Sequence, residues 1–434
     1  NGFDLLKFYP PGWFFFSYPL LLIFKRPEVA TYVSIILILI LSFVAIYKIV
    51  SLKEKSWPKT IAFFLFLFAT ATSVSAFFRL GRVTEMFAWM IFLFLTYMIL
   101  KYKNKELDIN FIYFIPLYTS LLFSQPIVAI PFHFFLLSLF IAKRKSKKEL
   151  IILSAAVIFG ILLSAFWWYP FVTDLGSESR TYEYLPEIIE RFSGFNTQWA
   201  SSAILITILP FITLIMFGVY YLSNKNKEDL LFYSPILLLT ILVLTRIVTF
   251  IPYVNFVYPE PYFTFFIIFI LIFLFNLNLE KLPGILQKTI PVLIILVSIA
   301  STILSLTVTS YYLDHTELEK TTLELLKEVK GSYMILESPS STSYPKAYYS
   351  YGAIYYGLTT PSGWSPSELT NDDEKLLKEL GERFQIKNCF AFVNTARKLK
   401  LKEVITYGGY CEMNERCGLK GKITKNNACL IKVT

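Results

Sequence analysis

Cysteine is absent from residues 1–388 of this 434-residue chain, and the whole sequence contains only two histidines. The sequence also lacks a Walker A segment, a G-x-G-x-x-G turn, a G-x-S-x-G elbow and an H-E-x-x-H pair. No basic stretch has the interleaved aromatic residues or the fold signature of a nucleic-acid-binding module, so no nucleic-acid partner is expected. These absences argue against the common soluble enzyme classes and against nucleic-acid binding.

Apolar residues are what the sequence has in abundance. They make up 55% of the chain, with 42 Phe and 28 Tyr, and the mean hydropathy is +0.55. A single soluble core stops growing near about 250–300 residues, so a soluble domain of this length could not bury so much apolar surface. The composition therefore predicts a polytopic membrane protein, and the net charge of +10 is attributed to cytoplasmic loops.

Apolar runs of about 20 residues, the length that crosses the hydrocarbon core, recur along the chain. We predict ten spans, at 29–50, 60–78, 84–100, 109–123, 126–142, 149–168, 201–222, 230–250, 261–277 and 289–311. Pro116, Pro126 and Pro131 interrupt the fourth and fifth, so the division between these two stays open. The first apolar stretch, 10–24, is too short to cross comfortably, which favours a re-entrant or interfacial helix over a true span.

The basic residues predict the orientation. Lys and Arg concentrate at 48–59, 101–105, 143–148, 225–227 and 281–288. With ten spans, all five clusters lie on one side, which the positive-inside rule makes cytoplasmic. We therefore expect a multi-pass plasma-membrane protein whose C-terminal region is extracytoplasmic. Counting 10–24 as a true span leaves this later orientation unchanged.

The fold class predicted is mainly α, a polytopic transmembrane helix bundle of about ten spans followed by a small extracytoplasmic α/β domain. The regions are 1–28, the end of an outer loop with the re-entrant or interfacial helix; 29–311, the bundle; and 312–434, the outer domain. In that domain the patterns predict helices at 314–330 and 372–384, and strands at 332–337, 389–394, 404–407 and 428–433. The chain begins with Asn1 and without a signal-peptide core, which indicates a processed start or a fragment.

The four cysteines all lie in the predicted outer domain, at Cys389, Cys411, Cys417 and Cys429. An extracytoplasmic location allows them to form disulfides. Of the three possible pairings, we favour Cys411–Cys417 around a tight loop and Cys389–Cys429 between two strands. A zinc site is the alternative, but no Cys-x2-Cys pair is present and no histidine is nearby.

Charged residues at the outer ends of the spans are the candidate site. They are Arg79, Arg82, Glu85, Asp174, Arg246 and Glu260. Charge at membrane depth is costly and usually lines a cavity or is paired, although a snorkelling arginine and a belt of interfacial aromatics are the plainer alternatives. Such residues suit an anionic lipid that carries a sugar, with arginines on the phosphate, aromatics on the sugar, and a carboxylate as base or as ligand of a divalent metal ion.

Short segments resemble a known superfamily. The sequence Leu-Lys-Phe-Tyr-Pro-Pro-Gly-Trp-Phe at 6–14 resembles the Tyr-Pro-Pro segment of GT-C-type membrane glycosyltransferases. The segment at 81–88 is similar to a Gly-x-x-Pro-Glu segment of archaeal polytopic proteins in that superfamily, including those labelled 6-pyruvoyl-tetrahydropterin-synthase-related. Phe-Trp-Trp-Tyr-Pro at 166–170 and the Gly-Leu-Thr-Thr-Pro-Ser-Gly-Trp segment at 357–364 fit the same resemblance.

The resemblance implies a transferase that moves a sugar from a polyprenyl-phosphate donor to a glycan or protein acceptor at the extracytoplasmic face. In that family the principal acid lies in the first outer loop, and Asp4, close to Tyr-Pro-Pro, is the only acid in the matching segment. The catalytic candidates are therefore Asp4 and Glu85. Tyr262-Phe263 stands where relatives often carry Arg-Phe, and no Trp-Trp-Asp follows the last span, which argues against an oligosaccharyltransferase. A lipid or polysaccharide transporter and a non-catalytic envelope scaffold are the alternatives.

Overall fold

A computed structural model describes residues 10–70, 73–79, 81–177, 185–252, 254–277, 284–308, 317–336, 345–361, 371–412, 416–423 and 428–433. The chain divides into two compact units, Tyr9–Tyr311 and Tyr312–Thr434. Each unit is described below by itself.

The larger unit is built from helices. In chain order they are α1 (Gly12–Phe24), α2 (Pro27–Val50), α3 (Trp57–Phe68), α4 (Val83–Tyr102), α5 (Phe114–Leu122), α6 (Pro126–Lys143), α7 (Lys147–Ser177), α8 (Leu185–Ser193), α9 (Ala200–Asn224), α10 (Lys227–Leu244), α11 (Pro259–Phe275) and α12 (Gly284–Val308). A π-helical turn, Val74–Arg79, and 3-10 turns at Ile109–Tyr113, Thr197–Trp199, Ile247–Phe250 and Val254–Phe256 lie between them. Prolines in the first turn begin α2, α3, α6 and α11, where the missing N–H would have no helical partner.

Six helical segments are long and apolar enough to cross a membrane: Pro27–Val50, Val83–Tyr102, Pro126–Lys143, Lys147–Tyr169, Thr197–Asn224 and Thr289–Thr307. Four further apolar helical segments are shorter, Gly12–Phe24, Trp57–Phe68, Ile109–Leu122 and Pro259–Phe275. A mainly helical bundle with several candidate membrane spans is thus confirmed, whereas the count of ten stays a prediction. Two predicted spans were too long, because α3 ends at Phe68 before a separate π-helical turn and α10 ends at Leu244.

Helix α4 is the centre of the larger unit. In its apolar 18-residue segment 72% of the residues are buried, against 17% in that of α12. Edge-to-face rings join it to two neighbours: Phe92 lies 5.7 Å from Phe132 of α6 and 6.0 Å from Phe265 of α11, between ring centroids. Aromatic pairs of this geometry add about 0.5–1.5 kcal/mol each beyond their buried area. The phenylalanine-rich spans therefore pack through rings around α4, while α12 exposes most of its apolar surface.

Four of the five predicted basic clusters meet at one end of the larger unit, as the charge pattern predicted; the side chains of the fifth, 281–288, lie outside the described residues. Lys48 and Lys101 both lie over the ring of Tyr97, at 5.5 and 5.8 Å from its centroid. Lys53 donates hydrogen bonds to the carbonyls of Asn276 and Leu277, each at 2.8 Å. The first two basic loops and the end of α11 are thereby joined.

Further polar contacts bring the basic loops at 143–148 and 225–227 to this end. Lys103 lies 2.7 Å from Asp229, and Lys145 lies 2.9 Å from Glu228. Lys143 donates to the carbonyl of Lys105 at 2.5 Å. We call this the basic end of the bundle.

The opposite end, which we call the far end, is fixed by the directions of the helices. Helix α4 ends with Lys101 and Tyr102 at the basic end, so its first residue, Val83, lies about 30 Å away along the helix axis. Helices α6, α9 and α11 run in the same direction, and α10 runs in the other. The starts of α4, α6, α9 and α11 and the end of α10 therefore lie together.

The smaller unit is an α/β domain. Its elements are α13 (Glu317–Leu326), β1 (Tyr333–Ile335), α14 (Pro345–Tyr356), α15 (Asn371–Gln385), α16 (Cys389–Lys398), β2 (Glu403–Tyr407), β3 (Lys420–Ile423) and β4 (Ala428–Lys432). The strand order is β1-β2-β4-β3. Strand β1 pairs in parallel with β2, and β4 pairs antiparallel with β2 and β3. The parallel pair requires a long crossover, which contains α14, α15 and α16.

The strand predicted at 389–394 was wrong, because these residues begin helix α16. Asn388 caps that helix by accepting a hydrogen bond from the amide of Ala391 at 3.1 Å. An amide-bearing cap of this kind satisfies one of the free N–H groups of the first turn. Helix α14 and strand β3 were not predicted.

The predicted cysteine pairing was also wrong: the disulfides join Cys389 to Cys417 and Cys411 to Cys429. In the antiparallel register Tyr407 faces Ala428, and the 3-10 turn after β2 brings Cys411 to 5.8 Å from Cys429, between Cα atoms. Cys389 lies in the first turn of a helix rather than on a strand, which leaves Cys417 as its partner. Neither disulfide pairing could be predicted from the spacing of the cysteines in the sequence.

Candidate functional site

Four of the seven predicted site residues have described side chains, and these are Arg82, Glu85, Arg246 and Glu260. Asp4 lies outside the described residues. The backbone of Arg79 ends the π-helical turn and that of Asp174 lies near the end of α7, but their side chains are outside the described part of the structure. The site is therefore built below from the four that can be placed.

Glu85 lies in the first turn of α4 and is only 5% exposed. Its Oε2 lies 3.6 Å from Nη1 of Arg82, and its Oε1 accepts a hydrogen bond from the indole of Trp89 at 3.2 Å. Spacings of three and four residues place all three side chains on one face of the helix. The positive end of the helix dipole also favours a carboxylate there.

Glu260 lies in the first turn of α11, between Pro259 and Pro261. It interacts electrostatically with Glu85, because α4 and α11 both begin at the far end. Two carboxylates are thus held near each other at the ends of two buried helices. Like charges in such a setting repel unless cations or protons intervene.

Arg191, which the sequence analysis missed, is the cation that meets Glu260, with Nη1 3.7 Å from Oε1. Its guanidinium carbon lies 3.9 Å from the ring centroid of Trp199 and 4.2 Å from that of Tyr258. Within α8, its Nη2 also donates to Glu187 at 3.0 Å. The i, i+4 spacing of Glu187 and Arg191 in a predicted outer loop was the one sequence signal that could have identified it.

Arg246 is engaged with the protein itself. Its Nη1 donates to the carbonyls of Ile206 and Val243 at 3.0 and 3.1 Å, and its Nη2 donates to Oγ1 of Thr207 at 2.5 Å. Its backbone is left-handed, with φ of 65°, which is a common way to end a helix. Arg246 therefore lies in the turn after α10 rather than inside a span, and it joins α10 to α9.

Several buried polar atoms at the far end have no hydrogen-bond partner among the described residues. They are Nε of Arg191, Nε1 of Trp199, Oδ1 of Asn255, Oε2 of Glu260 and the hydroxyl of Tyr262. Buried polar atoms are nearly always bonded to protein, water or ligand. A concentration of unpaired ones marks a place where another group completes the structure.

The described residues form no cluster of ligating side chains for the predicted divalent metal ion. Among the described residues, no group of three or more His, Cys, Asp or Glu side chains could hold a metal ion. Glu85 and Glu260 are the two carboxylates that could offer oxygen ligands at the far end. Each of them already faces an arginine.

The far end therefore combines three glutamates, Glu85, Glu187 and Glu260, with three arginines, Arg82, Arg191 and Arg246, and several aromatic rings. Glu85 and Glu260 can accept protons or hydrogen bonds, and the arginines can bind anionic oxygen. His133 lies within α6, and its Nε2 forms a hydrogen bond with the hydroxyl of Tyr118 at 2.8 Å. No protein-family model matches this sequence, and comparison with curated proteins finds no match either.

Proposed function

We propose that this protein is a GT-C-like membrane glycosyltransferase that moves a sugar from a polyprenyl-phosphate donor to a glycan or protein acceptor. The observation that supports it best is the pair of carboxylates, Glu85 and Glu260, which interact at the far end and each face an arginine. The far end is opposite the basic loops, so the positive-inside rule makes it extracytoplasmic. The two disulfides of the smaller unit suit the same oxidising compartment.

Chemically, the acceptor hydroxyl attacks the anomeric carbon of the donor sugar. The new glycosidic bond forms as the bond from that carbon to the phosphate oxygen breaks, and the polyprenyl phosphate leaves. The hydroxyl proton passes to a carboxylate, for which Glu85 is our candidate. Arg82, the residue just before the first turn of α4, would balance the charge of the departing phosphate.

An apolar surface beside this site suits a lipid-linked donor. Helix α1 begins where the amide of Gly12 bonds the carbonyl of Phe123 at 2.8 Å, next to the start of α6 at the far end. Phe16 packs on Phe87 of α4, with ring centroids 4.9 Å apart. The opposite side of α1 exposes Leu22 and other large apolar residues, against which a polyprenyl chain could lie.

A lipid or polysaccharide transporter is the second candidate. Interrupted helices near a substrate are typical of transporters, and the second predicted span is interrupted between Phe68 and Val74. In that function the lipid-linked sugar would cross the membrane without losing its sugar.

The test is sugar transfer by the purified chain in liposomes, with radiolabelled polyprenyl-phosphate-linked sugars and a membrane acceptor fraction. We expect Glu85→Gln to slow transfer at least about a hundredfold, the usual order for loss of a general base. Glu228→Gln, an exposed carboxylate at the basic end, is the matched control and should retain activity. Wild-type transfer by Glu85→Gln would overturn the assignment of Glu85 as the base. Movement of intact lipid-linked sugar into the liposomes, without transfer of the sugar, would favour the transporter.

A further inference from the structure

We infer that Arg191, Trp199, Asn255, Tyr258 and Glu260 form a subsite for an uncharged, hydroxyl-rich group, that is, a neutral sugar unit. We call these residues the Arg191 subsite. The inference deepens the proposed function and rests on it only for the identity of the sugar as a reactant. The binding chemistry itself follows from how this cluster is built.

The guanidinium of Arg191 is held against two aromatic rings. The rings of Trp199 and Tyr258 lie within about 4 Å of its centre, at the two distances given above, and contacts of this kind are favourable cation–π interactions. Its Nη2 bonds Glu187 and its Nη1 faces Glu260. Its Nε is buried and has no hydrogen-bond partner among the described residues.

Trp199 and Glu260, which both contact Arg191, are incomplete in the same way. Trp199 leaves its indole N–H unpaired, and Glu260 leaves one carboxylate oxygen unpaired. The 3-10 turn Val254–Phe256 packs against α8, and its Asn255 adds an unpaired amide oxygen. The cluster therefore offers two N–H donors and two oxygen acceptors that nothing in the described structure satisfies.

This combination selects a hydroxyl-bearing ligand. A hydroxyl group both donates and accepts, so neighbouring hydroxyls on a sugar ring can satisfy donors and acceptors together. A phosphate or a uronate offers mainly acceptors, and it would place its charge against the carboxylate of Glu260.

The subsite is joined to the carboxylate pair through Glu260. This side chain faces Arg191 and lies in the first turn of α11, at the same end of the bundle as Glu85 in the first turn of α4. A sugar held by the Arg191 subsite would therefore lie close to the proposed base. Because the unpaired atoms are buried, we expect the Trp199 and Tyr258 rings to shift when a sugar binds, which makes tryptophan fluorescence a direct readout.

The experiment measures equilibrium binding to the full chain in phosphatidylcholine nanodiscs, without donor lipid, by tryptophan fluorescence and ligand-observed NMR. The probes are the methyl glycosides of glucose, galactose and mannose, with methyl glucuronate, glucosamine and inorganic phosphate for comparison. We expect saturable binding of at least one neutral glycoside, with affinity about tenfold above that for the charged probes. Binding only of glucuronate or phosphate, or no saturable binding at all, would overturn the inference.

Variants then assign the binding to these residues. Trp199→Phe keeps a ring on the guanidinium but removes the indole N–H, and we expect it to weaken neutral-sugar binding several-fold. Arg191→Gln should weaken neutral-sugar binding about tenfold. If Arg191→Gln does not fold, Arg191→Lys is expected to fold and takes its place in the binding measurement. Trp57→Phe and Arg144→Gln, at the basic end, are the matched controls and should bind as the wild type does. Wild-type affinity in both subsite variants would overturn the assignment.

The inference and the proposed function can fail separately. Sugar binding that depends on Arg191, in a protein without transfer activity, would keep the subsite and remove the transferase. Transfer activity that is unchanged in Arg191→Gln, with no binding of neutral glycosides, would keep the transferase and remove the subsite.

Discussion

At the basic end of the bundle, lysines meet carboxylates at hydrogen-bonding distance, as with Lys103 and Asp229 at 2.7 Å. At the far end, two of the arginine–glutamate pairs are wider, 3.6 Å for Arg82–Glu85 and 3.7 Å for Arg191–Glu260, whereas Arg191–Glu187 within α8 is close, at 3.0 Å. Several buried polar atoms there also lack a partner among the described residues. Close, fully bonded pairs stabilise a fold, whereas loose pairs beside unpaired atoms leave bonding capacity for another molecule.

Asp229 shows how complete the bonding is at the basic end. Besides the bond from Lys103, it accepts hydrogen bonds from the side-chain amide of Asn226, at 3.0 Å, and from the hydroxyl of Tyr220. The ammonium of Lys103 also lies over the ring of Phe232, 4.7 Å from its centroid. This network joins α9 and α10 to the loop after α4.

The largest expected effect breaks that network. Asp229→Ala should lower the free energy of unfolding by about 3–5 kcal/mol, because it leaves Lys103 buried without its counter-ion. Unfolding of the purified chain by SDS titration in mixed micelles measures the change. Stability equal to that of the wild type would contradict a structural role for the basic end.

Backbone packing at the far end gives the next largest effect. A Cβ at Gly12 would lie 2.3 Å from Oγ of Ser124 and 2.9 Å from the carbonyl of Phe123, so Gly12→Ala should cost about 1–3 kcal/mol. Gly218→Ala, where nothing lies within 4 Å of the new Cβ, is the matched control and should be neutral or slightly stabilising. Equal melting temperatures for the two variants would show that α1 is not packed as described.

Charge at the far end should matter little to stability. Glu260→Gln removes a loose ion pair but also relieves the interaction with Glu85, so we expect a change within about 1 kcal/mol. The same SDS titration, beside Asp229→Asn, makes the comparison direct. A loss in Glu260→Gln as large as in Asp229→Asn would erase the distinction between the two ends.

Acid should act on the basic end through Asp108. Lys105, 2.6 Å away, and Tyr102 donate to this carboxylate and hold its pKa well below its ordinary value of 3.8. A lowered folded-state pKa gives stability that is present above 3.8 and is lost as the pH falls below that value. Asp108→Asn should therefore flatten the decline in melting temperature below about pH 4. An unchanged pH profile in the variant would exclude this contribution.

The smallest effect is expected at the exposed edge of the basic end. Lys145 pairs with Glu228 at 2.9 Å, but its side chain is 77% exposed. Lys145→Ala should change the free energy of unfolding by about 0.5 kcal/mol or less, because water and salt screen such pairs. A loss of several kcal/mol would mean that this pair belongs to the buried network around Asp229.

Much of the larger unit could be predicted from the chain. Apolar run length predicted where helices lie, and loop lysines predicted that the basic loops share an end, because burial in lipid and charge placement act on contiguous residues. The helix interruptions were missed: the segment 60–78 is apolar on average, yet α3 ends at Phe68, just before the Thr- and Ser-rich stretch 70–75. A composition window does not detect such an interruption.

The candidate site was predicted only in part. Arg82, Glu85 and Glu260 stood out as charges at the ends of apolar spans, and the structure brings Glu85 and Glu260 within electrostatic reach. Arg191 was missed because it lies in a polar loop, where an arginine is unremarkable until its neighbours are known. Its partner Glu260 is 69 residues later in the chain, as the two residue numbers give.

The sequence by itself determined the apolar helices of the larger unit that are long enough to cross a membrane, their approximate bounds and the common end of the basic loops. These properties depend on hydrophobicity and charge summed over neighbouring residues. Only the tertiary structure decided the cysteine pairing, the backbone bonds of Arg246 and the cluster of Arg191, Trp199 and Glu260. These depend on strand register and helix packing, which bring together residues far apart in the chain.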